Sequence, residues 1–282
     1  MFNKIKKYMG SAIAWVSITL LVLYILVAIF APLISPHLPN DQELRKRLLP
    51  PSWSEGGDSS YFLGTDDLGR DLLSRVIYGS RISISVGVLA ALLSGVLGTT
   101  IGLLSGYFPR VDDVTMRLAD IQLAFPTILL ALAVVAVVGS GFEKLVLILG
   151  ITGWVSYARV IRSEVLSIKH SDYIVAAQTL GISDGRILYR HILPNIIAPA
   201  VTIATFQVAS AIIAEASLSF LGLGIPVNIP TWGNMLHQGQ LYIESAWWMS
   251  VFPGISIMLV VLSINILGDV LRDYMDPRSR HG

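Results

Sequence analysis

The chain contains no cysteine, which excludes disulfides and thiolate metal sites and leaves its redox compartment unread. It is poor in charge: Lys, Arg, Asp and Glu make up 14% of the residues, against roughly 25% in ordinary soluble domains. No G-x-x-x-x-G-K-[ST] loop occurs, so a P-loop ATPase within the chain is not expected. H-E-x-x-H and G-x-S-x-G are also missing, and no nucleophile–base pairing stands out. His37, His170, His191, His237 and His281 are scattered without ligand spacing. No catalytic residue, metal ligand or nucleic-acid-binding surface is therefore expected. No repeat of about 20–50 residues is visible, and no internal duplication links the two halves, which weakens a single-chain inverted-repeat transporter.

What the chain has is apolar length. Of its 282 residues 54% are hydrophobic, with mean hydropathy +0.67. A bilayer core about 30 Å thick needs roughly 20 apolar residues of helix. Six segments meet this: Ala12–Ile34, Ile82–Tyr107, Met116–Val138, Leu145–Val160, Ile196–Leu221 and Trp248–Leu271. The fourth is the shortest, and Gly150, Gly153 and Ser156 mark it as tilted or broken. The first follows Lys4, Lys6 and Lys7, as in a signal peptide. Its apolar run exceeds the usual 7–15 residues and no A-x-A site follows, so it is expected to stay as an anchor. The expected fold is an all-α integral membrane bundle of six transmembrane helices.

Basic residues set the expected orientation. With an inside N-terminus, the inside segments hold Lys4, Lys6, Lys7, Arg110, Arg117, Arg159, Arg162, Lys169, Arg186, Arg190, Arg272, Arg278 and Arg280, which is 13 of the 20 Lys and Arg. Both termini then face the cytoplasm. The chain divides into a cytoplasmic N-terminus (1–11), an anchor helix (12–34), an extracytoplasmic segment (35–81), a core of five spans (82–271) and a cytoplasmic C-terminus (272–282). Within the core lie a cytoplasmic loop (165–194) and an extracytoplasmic loop (222–246). Segment 35–81 is broken by Pro36, Pro39, Pro50, Pro51, Gly56, Gly57 and Gly64. It reads as an irregular loop ending in a short helix near Asp71–Tyr78. Asp66, Asp67 and Asp71 read as caps and solvated loop residues rather than as a cation site.

The cytoplasmic loop carries the functional signal. Tyr173–Leu180 holds good helix formers, Gly181 ends that helix, and Ser183 or Asp184 caps a second short one. Pro194 marks its end or the start of the next span. By spacing alone this is equally an amphipathic connector. Its residues also resemble the coupling loop of ABC importer permeases, E-A-A-x-x-x-G-x(9)-I-x-L-P. Here the pattern reads Val175-Ala176-Ala177, Gly181 and His191-Ile192-Leu193-Pro194. Val175 replaces Glu and His191 replaces Ile.

The resemblance extends further. Leu63-Gly64-Thr65-Asp66-Asp67-Leu68-Gly69-Arg70-Asp71 with Ser74-Arg75 is similar to the N-terminal signature of the C-type permease subunit of dipeptide, oligopeptide and nickel ABC importers. Arg117, Asp120, Phe125 and Pro126 match its third span. Ser217–Gly224, Pro230, Trp232 and Gly233 match its exterior loop. Asn265, Gly268, Asp269, Arg272, Asp273, Asp276 and Pro277 match its C-terminal end. The resemblance implies a type I importer fold, a homologous second permease subunit, two ATPase subunits and an extracytoplasmic substrate-binding protein. ATP and Mg would reside in the ATPases, with no cofactor in this chain. Ala176, Ala177, Gly181, Asp184, Leu193 and Pro194 would couple to the ATPase. Pro230, Trp232 and Gly233 would touch the binding protein, although Trp232 fits interfacial anchoring equally.

Two further patterns come from the residues themselves. Ser94, Gly98, Gly102 and Gly106 recur every four residues, which lets helix backbones approach closely. Packing inside one subunit is preferred over a moving contact between permeases. Glu215 lies near the middle of a span, where a carboxylate costs roughly 2.5–3.5 kcal/mol on insertion scales. With Gln207 and Ser219 on its face, it either lines the translocation pathway or gate, or makes a structural hydrogen bond. A proton-coupled secondary carrier using Glu215 as relay is the alternative function. A membrane enzyme or a purely structural anchor is weaker.

Overall fold

The computed structural model describes residues 12–275. Lys4, Lys6, Lys7, Asp276, Pro277, Arg278, Arg280 and His281 lie outside the described residues. The helices are α1 (Ala12–Ile34), α2 (Leu72–Tyr107), α3 (Pro109–Leu123), α4 (Thr127–Val138), α5 (Phe142–Thr152), α6 (Trp154–Lys169), α7 (Asp172–Thr179), α8 (Asp184–Ile187), α9 (Leu193–Phe220), α10 (Trp232–Gly239) and α11 (Trp248–Met275). There is no strand among the described residues, only an isolated bridge between Thr65 and Asp71. Among the described residues, five helical segments are long and apolar enough to cross a membrane. They number six if α3 and α4 count as one span.

Three expected boundaries shift, each for a local reason. The third span is not straight. α3 and α4 meet at 89° across Ala124, Phe125 and Pro126, because Pro126 offers no N–H and excludes the helical region for the residue before it. The second span begins ten residues early, since the short helix foreseen near Asp71–Tyr78 is its first turns. Asp71 caps it, accepting from the Ser74 backbone N–H at 2.9 Å. The fourth span is two helices, α5 and α6, jointed at Gly153.

α2 is the central strut. It packs along α6 in the most extensive helix contact among the described residues, and also against α1, α5 and α9. One apolar core joins α9, α10 and α11 through Ile212, Trp232, Met235 and Val260. A second joins α2, α4, α5 and α9 through Val86, Val135, Leu149 and Leu218. A third holds α7, α8 and the start of α9 against α6, through Ile161, Val165, Ile174 and Ile187. The last lies at the end called here the elbow face. Segment 35–71 and α10 lie at the opposite end, the loop face.

Candidate functional site

The elbow forms as its sequence requires. α7 ends at Thr179, and Gly181 adopts φ +75° with nothing within 4 Å of where a side chain would stand. A positive φ at that open position favours glycine. Ser183 is the N-cap residue of α8, although its side chain makes no cap hydrogen bond. α8 is the second short helix foreseen, but it does not stand alone. It runs through a π-helical turn, Leu188–Ile192, directly into α9. Pro194 would collide with the Arg190 carbonyl in a regular helix, and the wider turn accommodates it.

One side of the elbow is glued to the bundle and the other is bare. Ile174, Ala177, Ile187, Leu188 and Ile192 are buried. Tyr173, Val175 and Ala176 are exposed, with Leu180 at 81% and Tyr189 at 77%. Of the expected coupling residues, Ala176, Gly181, Asp184 and Pro194 face outward, Leu193 is half-buried, and Ala177 is buried. Ala177 therefore packs the elbow onto the bundle and leaves contact to its neighbours. Position 175, where a carboxylate is usual, presents an exposed valine.

Polar contacts fix the elbow from behind. The Tyr107 hydroxyl donates to Asp184 Oδ1 at 2.6 Å and accepts from Gln178 Nε2 at 3.3 Å. Lys169 Nζ donates to the Tyr107 carbonyl at 2.7 Å and sits 5.2 Å from its ring centroid. Nearby, Arg162 pairs with Asp112 and Arg159 with Asp120, joining α6 to α3. Sequence reasoning did not foresee these ties, because their partners lie far apart along the chain.

The small-residue stripe of α2 packs within this chain. A Cβ on Gly102 would stand 2.6 Å from the Ala158 carbonyl oxygen, and one on Gly106 would stand 2.6 Å from Val165 Cβ. Gly98 abuts Trp154 and Tyr157, and the Ser94 hydroxyl donates to the Gly150 carbonyl at 2.9 Å. The stripe is thus filled by α5 and α6, as preferred from sequence.

Glu215 is fully buried between α2 and α10. It accepts from the Ser83 hydroxyl at 2.9 Å and the Ser219 hydroxyl at 2.8 Å. Gln207, two turns away, instead lies against Gly153 at the joint of α5 and α6. Ser219 joins Glu215 as expected and Gln207 does not. An open groove of the spanning region lies elsewhere. It has a volume of about 460 Å³ and runs between α2, α6 and α9, lined by Leu92, Val96, Tyr157, Val201 and Val208. In this conformation Glu215 braces helices and does not line that groove.

The loop face corrects two expectations. Pro230, Trp232 and Gly233 are buried and cannot meet a partner as placed here. Trp232 Nε1 donates to the Val76 carbonyl at 3.1 Å, so it is not an interfacial anchor either. Gly233 packs on Ala216 and Ser219. The exposed stretch of the same loop is Pro226–Asn228, with Leu241 and Ile243 beyond α10. Asp66 and Asp71 are likewise buried rather than solvated. Asp66 pairs with Arg70 at 2.6 Å and Arg75 at 3.4 Å, and both arginines donate to Gln238 Oε1 at 3.2 Å. An arginine four positions into an apolar helix was the sequence signal for such a partner.

Long apolar helices, an apolar groove and an elbow bare on one side are the features of an integral membrane protein. Residues 98–281 match the family described as binding-protein-dependent transport system inner membrane component, and residues 6–51 match the N-terminal TM domain of oligopeptide transport permease C. The chain is 42% identical to the di/tripeptide transport system permease protein DppC of Pseudomonas aeruginosa, covering 93% of this chain and 86% of that one. It is 38% identical to the oligopeptide permease OppC of Bacillus subtilis, covering 97% and 88%. It is also 38% identical to the glutathione permease GsiD of Pectobacterium atrosepticum, covering 97% and 89%. The chain belongs to the family of inner-membrane components of binding-protein-dependent transport systems, and the relatives named above are transport permeases.

Proposed function

We propose that the chain forms half of the translocation pathway of an ATP-driven importer for di- or oligopeptides, or for related small solutes such as nickel complexes. The elbow faces the cytoplasm, as do both termini. A homologous second permease subunit completes the pathway. Two ATPase subunits, carrying ATP and Mg, grip the two elbows, and an extracytoplasmic binding protein delivers substrate to the loop face. The observation that carries this reading is the two-sided elbow: packed on the bundle through Ile174 and Ile187, bare through Tyr173, Val175 and Leu180. Apolar side chains exposed together on a polar turn mark a surface that a partner covers. The names of the relatives support a peptide-like substrate.

The mechanism follows from linkage. ATP shifts the complex only by binding one state more tightly than the other. Closure of the ATPases would displace the elbows and open the bundle alternately to either side. Substrate choice would rest largely with the binding protein, because the groove lining is mostly apolar and offers few polar handles.

The test is reconstitution of the full complex in proteoliposomes with labelled dipeptide. Uptake should require ATP, the binding protein and both ATPases. Gly181→Pro should leave the subunit in the membrane while separating hydrolysis from uptake. Uptake by the permeases alone, following a proton gradient, would replace this reading with a secondary carrier.

A further inference from the structure

We propose that Tyr107 is a positioning residue that ties the elbow to α2 and passes the elbow's displacement into that helix. The inference rests on the importer reading above. The elbow is continuous with α6 through His170 and Ser171, and with α9 through the π-helical turn. α2 has no such covalent link, because it ends at Tyr107 and turns through Phe108 into α3. Yet α2 is the helix that packs on α1, α5, α6 and α9. A displacement that reached only α6 and α9 would slide them past α2 unless something fixed its end.

Tyr107 supplies that fixation in three directions. Its hydroxyl holds Asp184 of α8 at 2.6 Å and Gln178 of α7 at 3.3 Å, so one oxygen touches both arms of the elbow. Its carbonyl and ring hold Lys169, the last residue of α6. The edge-on ring of Phe108, 4.9 Å away, completes the enclosure. Tyr107 itself is 5% exposed, so the bonds reach outward from a buried ring to Asp184 and Gln178 on the exposed side of the elbow. Apolar packing in the same cluster resists separation but tolerates sliding. A directional hydrogen bond to a carboxylate resists both. Tyr107 is also one residue beyond Gly106, the last glycine of the stripe that seats α2 on α6. Any pull on the hydroxyl therefore reaches α2 where it is already held against its main partner.

The test uses the full complex in proteoliposomes. Tyr107→Phe keeps the ring and removes the hydroxyl. Assembly and hydrolysis without binding protein are expected to stay at the wild-type level. Uptake per ATP is expected to fall roughly tenfold, the usual scale for losing a hydrogen bond to a charged group. Asp184→Ala should lower uptake per ATP similarly, and the double variant should lose no more than either single one. A structural readout separates a tie from mere support. Nitroxides on Arg110→Cys and Gly185→Cys, in a chain without native cysteine, should keep one narrow distance through the ATP cycle, and Tyr107→Phe should broaden it in the ATP-bound state. Wild-type uptake per ATP in Tyr107→Phe, or losses that multiply in the double variant, would overturn the tie. A wild-type complex whose uptake ignores ATP would overturn the importer reading instead.

Discussion

The contact between α2 and α6 can be tested one methyl group at a time. A Cβ added at Gly102 would stand 2.6 Å from the Ala158 carbonyl oxygen, 2.8 Å from Ile161 Cβ and 3.0 Å from Ala158 Cα. Heavy atoms pack comfortably at about 3.5–4.0 Å. Two of those neighbours are backbone and the third is a β-branched carbon, so none can swing aside. The helices must part by about 1 Å at that level. Overpacking of this kind costs about 1–3 kcal/mol. The upper end applies, because parting at Gly102 also loosens the contacts of Gly98 with Tyr157 and of Gly106 with Val165. About 3 kcal/mol is roughly a hundredfold in the folding equilibrium. Gly185→Ala is the control: nothing lies within 4 Å of its added Cβ, and alanine is favoured over glycine in a helix by roughly 0.5–1 kcal/mol. Equilibrium unfolding of the purified chain in mixed micelles, followed by circular dichroism, reads the difference. The Gly98→Ala, Gly102→Ala double variant should be destabilised by less than the sum of the two single ones, since one separation relieves both clashes. If Gly102→Ala unfolds together with Gly185→Ala, the stripe does not pack inside this chain, and a contact between permeases would take its place.

Arg75→Ala should destabilise the loop face by about 1–3 kcal/mol, because Asp66 and Gln238 lose one of two arginine partners while Arg70 still holds both; faster proteolysis in segment 35–71 measures it. Glu215→Gln should stay within about 1 kcal/mol of wild type in micelle unfolding and retain assembly, whereas Glu215→Leu, which leaves the Ser83 and Ser219 hydroxyls without their acceptor, should lose about 1–3 kcal/mol more. Trp53 and Phe62 are both 57% exposed, and Trp53 lies edge-on to Phe252 of α11, with ring centroids 6.2 Å apart. A nitroxide on Trp53→Cys should therefore be open to oxygen and shielded from a water-soluble nickel reagent, as at a membrane interface; high accessibility to the nickel reagent would refute this. The backbone N–H of Ser60, the Ser60 side chain and then Lys46 hold the Asp58 carboxyl below its usual 3.8. Its hold on the loop is full above that pH and fades as pH falls through the lowered value, so proteolysis near Asp58 should be unchanged at pH 5 and rise only in stronger acid.

The sequence made the helices legible wherever one property repeated locally. Apolar windows located the spans, and the four-residue spacing of Ser94, Gly98, Gly102 and Gly106 announced a close helix contact, which the structure places between α2 and α6. The break between α3 and α4 was missed although Pro126 stood in view, because an apolar window averages over the one residue that bends it. Long-range pairs were out of reach. Arg75 meets Gln238 across 163 positions, and Tyr107 meets Asp184 across 77. No local pattern encodes such meetings. Trp232 is a different failure. Trp232, Met235 and Gly239 are buried at helical spacing on α10, an inward face that periodicity alone reveals, yet an aromatic in an exterior loop reads more readily as a contact for something outside.

These distinctions bear on which helix can carry a signal across the membrane. α2 has 36 residues, which at about 1.5 Å each make roughly 54 Å, well beyond a hydrocarbon core of about 30 Å. It therefore reaches past both boundaries without a break. Of its neighbours, α5 and α6 are jointed at Gly153 and α3 and α4 turn through 89°, whereas α9, with 28 residues, is continuous like α2 but carries Pro199 within it. An unbroken helix transmits an axial pull, whereas a joint converts it into local rotation. At one end α2 holds Asp184 and Lys169 through Tyr107. At the other, Arg75 holds Gln238, and Ser83 holds Glu215 with its hydroxyl 3.4 Å from the Trp232 backbone N–H. The buried polar contacts at the loop face are thus fastened to the same strut as the elbow. Their burial, which removes Trp232 and Gly233 from the surface, is what lets α10 follow α2 rather than move independently of it.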